Sequence, residues 1–175
     1  MKTALFAISF FMLVAFASCN LSGSSNFTPE LFVNLSHINK SDTLYIYPTD
    51  EGVYRSDTLF TGDTIVMRMY LDGKANNLTD FYLTQSDTST AKIILPVKLS
   101  LDSIFSAKSD YEKGKFVFLP EEVFVYFPVR YVAKKASKDA LLQFTLSSDA
   151  KFENEIGSNT VTIKLKTPIK DRILE

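Results

Sequence analysis

Thr64-Ile65-Val66-Met67-Arg68-Met69-Tyr70-Leu71-Asp72-Gly73 is the stretch that decides the fold. Ile65, Met67, Met69 and Leu71 fall on one face, and Val66, Arg68 and Tyr70 fall on the other. A strict period of two over this length predicts a strand with one buried face. Asp72-Gly73 tolerates positive φ and predicts a turn at its end. Similar runs extend in both directions from Leu31 onward. Thr43 to Tyr47, closed by Pro48, is one, followed by Phe81 to Thr84 and Lys92 to Leu101. Pro96 makes the last of these an edge or bulged strand. Lys115 to Leu119, Leu141 to Leu146 and Thr160 to Lys166 add three more, with Val161, Ile163 and Leu165 facing inward in the last. Gly157-Ser158-Asn159 reads as the hairpin loop before it. Val123 to Val132 is nearly continuous in apolar and aromatic residues, which predicts a strand buried on both sides, with Pro128 bending it or placing it at an edge.

Helical signals are weak. Leu101 to Tyr111 predicts one short helix, Lys134 to Leu142 is a poorer candidate, and neither has both caps. The pattern predicts an all-β protein: a single immunoglobulin-like or fibronectin-like β-sandwich of about seven to nine strands, with at most one short helix. An antibody-type domain is excluded in detail, because the chain has no Trp and only one Cys. At 175 residues, 46% hydrophobic and 22% charged, the chain supports one folded core and rules out wholesale disorder. A formal net charge of -1 excludes the basic face that nucleic-acid binding requires.

The amino terminus has a different character. Met1-Lys2-Thr3 is basic, Ala4 to Ala15 is apolar apart from Ser9, and Phe16-Ala17-Ser18-Cys19 closes the run with small residues. The run is too short to span a bilayer and matches a secretory signal peptide. Cys19 is the only cysteine, so an intramolecular disulfide is impossible. Ala17, Ser18 and Cys19 resemble the lipobox of bacterial lipoproteins, where the cysteine is diacylated and becomes the new amino terminus. Phe16 stands where that family usually carries an aliphatic residue, a departure that resembles the looser lipoboxes of Bacteroidota. The resemblance implies stable anchoring, since more than one acyl chain enters the bilayer. The chain is thus expected to divide into a signal peptide (1–18), a lipidated cysteine with a flexible tether (19–30) and the sandwich (31–175). Asn20 to Asn26 is small and polar, as a tether requires. No acidic residue follows Cys19 directly, and by the same resemblance this favours an outer-membrane protein facing the periplasm. Phe144 to Ala150 and on through Thr167-Pro168-Ile169 resembles the terminal strand pair of small Bacteroidota envelope lipoproteins of unassigned role.

No set of residues reaches the level of an active site. His37 is the only histidine, and triads or metal sites need partners that the chain lacks. Asp50, Glu51, Asp57 and Asp63 cluster near turns, without the spacing of a calcium loop. Glu121 and Glu122, as neighbours on a strand, would point to opposite faces. No metal or cofactor is expected. Phe124, Tyr126 and Tyr131 are candidates for an exposed aromatic ladder, although a sandwich core uses the same residue types. Asp42-Thr43-Leu44, Asp57-Thr58-Leu59, Asp63-Thr64-Ile65 and Asp102-Ser103-Ile104 resemble the O-glycosylation acceptor motif of Bacteroidota envelope proteins. That implies modification at Thr43, Thr58, Thr64 and Ser103. The same four also fit an Asp that ends a turn before a strand.

These readings converge on a lipid-anchored, non-catalytic envelope protein that acts as a binding or assembly accessory module. Its expected partners are the membrane, through the anchor, and an envelope protein or glycan. An exposed aromatic row flanked by polar groups would favour a glycan-binding module of a nutrient-uptake system. An open sheet edge would favour a fimbria-like or adhesin subunit. The anchor reading predicts that Cys19→Ala leaves the protein soluble or unprocessed when cells are fractionated. Unchanged membrane retention would contradict it.

Overall fold

The computed structural model describes residues 27–38, 43–49, 53–152 and 157–173. Their strands are β1 (Glu30–His37), β2 (Thr43–Leu44), β3 (Ile46–Pro48), β4 (Tyr54–Ser56), β5 (Leu59–Phe60), β6 (Thr64–Asp72) and β7 (Leu78–Gln85). After β8 (Ala91–Ile94) comes the one helix among the described residues, α1 (Lys98–Asp102). Then follow β9 (Lys115–Val117), β10 (Phe124–Ala133), β11 (Leu141–Ser148), β12 (Thr160–Lys166) and β13 (Ile169–Lys170). A five-stranded sheet in the order β2-β1-β6-β10-β8 packs on a six-stranded sheet in the order β3-β4-β12-β11-β7-β9. β13 and β5 form a small third sheet. The expected all-β sandwich with one short helix is what forms.

β6 lies at the centre of the first sheet, paired antiparallel with β1 on one side and β10 on the other. Its inward residues Ile65, Met67, Met69 and Leu71 are fully buried, as the alternation predicted. β10, its neighbour in the same sheet, extends that inward layer with Val125, Phe127, Val129 and Tyr131. Phe127 stands edge-on to Phe81, Phe105 and Phe116, with ring centroids 6.0, 5.2 and 5.1 Å away. These rings from both sheets lock the layers together, since edge-to-face pairs add to the burial of large apolar surface. Tyr131 satisfies its buried hydroxyl on Thr167 at 2.9 Å, and burial raises its pKa.

Several details differ from the sequence reading. β10 is not buried on both sides: its residues alternate, and Phe124 and Tyr126 are exposed. Pro128 is tolerated in this inner strand for a reason that lies in the register. Arg130 pairs with Ile94, so the next step would set Pro128 opposite Pro96. Neither proline has an N–H to offer, and the ladder ends there. Pro96 accordingly closes β8 early, and the expected strand 92–101 gives way to α1. The helix therefore starts three residues before the expected Leu101. Lys134 to Ala140 is loop rather than helix. The Thr43–Tyr47 run splits into β2 and β3, which belong to different sheets with only Tyr45 between them. The described residues hold thirteen strand segments: seven of four residues or more, within the seven to nine expected, and six of only two or three. Sequence periodicity cannot register such short pieces.

The turn after β6 carries the chain from one sheet to the other. Gly73 is buried in it, and a Cβ there would stand 2.2 Å from the Asn76 carbonyl oxygen. Asn76 is itself buried and donates from Nδ2 to the carbonyls of Gly73 and Phe27, both at 3.1 Å. This corner holds the segment that leads into β1. The aromatic lock predicts that Phe127→Ala lowers unfolding free energy by about 3–5 kcal/mol in urea titration. A loss below about 1 kcal/mol would show that this cluster does not join the sheets.

Candidate functional site

The residues singled out in the sequence do not converge. Cys19, Asp42, Asp50 and Glu51 lie outside the described residues. His37 is the half-buried last residue of β1. Asp57 accepts hydrogen bonds from the Tyr45 N–H and the Tyr47 hydroxyl, both at 2.9 Å. The hydrogen bond to Asp57 raises the Tyr47 pKa, because it favours the protonated phenol. Asp63 accepts from the Phe60 N–H at 2.8 Å and pairs with Arg172. Both aspartates thus have work in local structure. Glu121, at φ 70°, sits in a turn before β10 rather than on a strand. Among the described residues, no group of three or more potential metal ligands comes together.

The four acceptor-like hydroxyls also separate. Thr43 is exposed at the start of β2. Thr58 is half-buried beside Arg55, Pro168 and Ile169. Thr64 is half-buried in a strand paired on both sides, where its carbonyl accepts from Ile38. Ser103 is exposed just after α1, donating to the Ser100 carbonyl at 2.9 Å. Thr43 and Ser103 are the two of the four that are exposed.

Two surfaces that involve β1 bear on a binding role. The first is a cleft of about 300 Å³ between the sheets, lined by Leu31, Phe32, Val33, Ile46, Tyr54, Ile163 and Leu165. Its volume is at the small end of ligand sites, which run roughly 300–1,000 Å³, and its lining is wholly apolar or aromatic. It is open because both walls are half-finished. β2 covers β1 only at Leu35 and Ser36. β4 covers β12 only at Leu165 and Lys166. Among the described residues, Glu30 to Asn34 and Thr160 to Lys164 therefore have no strand on their outer sides. The Ile38 N–H donates to the Thr64 carbonyl, so even-numbered residues of β1 bond to β6. By the alternation of an antiparallel ladder, the N–H and C=O of Leu31 and Val33 point away from it, toward the open edge. The same openness explains why Val161 and Ile163 face inward yet are only half-buried.

The second surface is the outer face of the five-stranded sheet. Register sets Phe32 beside Tyr70 and Tyr70 beside Tyr126, a row across three strands. Phe124 stands one row away, opposite Asp72. Phe32 and Phe124 are each 55% exposed and Tyr126 is 44% exposed. Tyr131, expected in the same ladder, is on the opposite face and buried. Arg68, Asn34 and Ser36 flank the row, with Arg68 donating to the Ser36 hydroxyl. This row is the feature that the glycan reading asks for. Its rings are not coplanar, however: Tyr70 and Tyr126 are tilted by 46° at 5.3 Å, so they offer no flat platform.

No protein-family model and no curated protein matches the chain, so the geometry stands alone. Phe32, Tyr70, Val33, Ile46 and Tyr54 were not singled out from sequence. Alternation predicted that some aromatic residues would be exposed, but only cross-strand register makes them neighbours. If Asp-Ser/Thr is an acceptor motif, Ser103→Ala lowers the intact mass of protein from its native envelope by a glycan. A drop equal to the one lost oxygen would assign that motif to turn formation.

Proposed function

We propose that this chain is a non-catalytic binding and assembly module of the cell envelope, held to the membrane through Cys19. The observation that carries the reading is the cleft between two unfinished strand edges. An extended partner segment laid along β1 would take up the outward N–H and C=O groups of Leu31 and Val33 as a further strand. Its alternate side chains would enter the apolar walls formed by Val33, Ile46, Ile163 and Leu165. Backbone bonds supply affinity in such strand addition, and side-chain pockets supply specificity. An exposed, apolar edge is otherwise a liability that proteins blunt with charge or proline. Pro29 and Glu30 stand only at its start, and neither charge nor proline stands at Leu31, Phe32 or Val33.

The mode of binding also explains why no titratable cluster is needed. Nothing in strand addition requires proton transfer or a nucleophile. A fimbria-like subunit uses the same physics, with a second copy as donor, and falls within this reading as a special case.

The edge is tested by removing a single donor. Val33→Pro deletes an N–H that points outward, so the β6 ladder keeps all its bonds, and strand φ values accommodate the ring. The full-length protein is tagged, cross-linked in its native envelope, recovered from the membrane fraction and read by mass spectrometry. Val33→Pro is expected to remain folded by circular dichroism and to recover its partner at least about tenfold less, equivalent to about 1.4 kcal/mol. Undiminished recovery by a folded Val33→Pro would refute strand addition at β1.

A further inference from the structure

We propose that the aromatic end of the five-stranded sheet, formed by Phe27, Phe32, Phe124 and Tyr126, rests on the headgroup region of the bilayer that holds Cys19. This rests on the anchoring part of the proposed function and shares only Phe32 with the cleft. The argument is one of reach. Phe27 is fixed to the β6–β7 corner by the Asn76 Nδ2 bond to its carbonyl. Only residues 20–26 separate it from Cys19. At no more than about 3.3–3.6 Å per residue, the eight steps from Cys19 to Phe27 span at most about 29 Å, whatever their conformation. A domain of about 150 residues has a radius of gyration near 15 Å, so its full width exceeds that span. The corner cannot leave the membrane by even one domain width, and the end of the sheet beside it is the end held nearest to lipid.

The chemistry of that end fits the position. Phe27 is 59% exposed and shares a shallow depression with Glu30, Asp72 and Lys74. Register puts Glu30, Asp72 and Phe124 in one row and Phe32, Tyr70 and Tyr126 in the next. Even-numbered residues of these strands share the outer face, so the exposed rings form one patch. Aromatic side chains favour the membrane–water interface, where the ring is shielded and a phenol stays hydrated. Lys74 pairs with Glu30 at 2.6 Å and with Asp72 at 3.5 Å, which offsets one of the two carboxylate charges at this end. The tilted rings suit a soft interface better than the flat face of a sugar.

The chain has no tryptophan, so one can be introduced as a clean reporter. The lipidated protein is reconstituted into phosphatidylethanolamine and phosphatidylglycerol vesicles, with or without bromine on the upper acyl chain. Tyr126→Trp should lose emission in brominated vesicles. Tyr82→Trp, on the outer face of the other sheet, should keep its emission. Protein that floats with the vesicles but shows equal Tyr126→Trp emission in both would overturn the proposal and leave the anchor standing. Protein that does not float overturns the anchor and the proposal together. A shift of Tyr126→Trp emission on adding maltoheptaose, without bromine quenching, would assign the face to sugar and also overturn it.

Discussion

The inward face of β6 is the constraint on which the rest of the structure depends. Ile65, Met67, Met69 and Leu71 are fully buried, and their strand is bonded on both sides by long neighbours. A slip of one residue would turn all four outward and bring Val66, Arg68 and Tyr70 into the core. Burying the Arg68 guanidinium unpaired is prohibitive, so the register is specified by what must stay out as much as by what goes in. Once β6 is set, β1 and β10 inherit their faces from it. Phe32, Tyr70 and Tyr126 then become neighbours, and Phe127 is delivered into the ring cluster beneath.

The open cleft follows from the same arrangement at the sheet margin. Among the described residues after β1, only Thr43 and Leu44 lie in the first sheet before Tyr45 passes the chain to the second. Asp57 holds that passage from both Tyr45 and Tyr47, so the crossing point is fixed. Among the described residues, β1 is consequently eight residues long with a cover of two, and β12 is seven residues long with a cover of two. Two long strands with short partners leave backbone groups and apolar side chains open on the same margin. The cleft is a result of where the chain crosses, with no special residue needed to create it.

How much of this could be read beforehand divides along a physical line. The alternation of Thr64 to Asp72 and of Thr160 to Lys166 is local, and both strands stand where it put them. Proline could be read as an interruption at 96 and 128, although its meaning lies in the pairing that would set one opposite the other. Short strands such as Tyr54–Ser56 carry no period at all and exist because a neighbour bonds to them. The candidate site fared worse for the same reason. Composition favoured the core for Phe124, Tyr126 and Tyr131 alike; Phe124 and Tyr126 are exposed instead, and only Tyr131, an odd number of residues from Tyr126, points to the other face and is buried. Phe32, Ile46, Tyr54 and Ile163 come from four strands, and only tertiary pairing brings them to one cleft.

In the account proposed above, the domain has two working margins: an aromatic end directed toward lipid and a strand edge directed toward a partner. The edge is the central claim, because it alone assigns the domain a task beyond staying at the membrane. Amide hydrogen exchange over 27–38, read by mass spectrometry, tests it most directly. In purified protein the outward N–H groups of Leu31 and Val33 should exchange fast beside the protected N–H of Phe32 and Asn34. In native envelopes the two should become protected as well. Protection already complete in the purified protein, or fast exchange persisting in the envelope, would contradict the account.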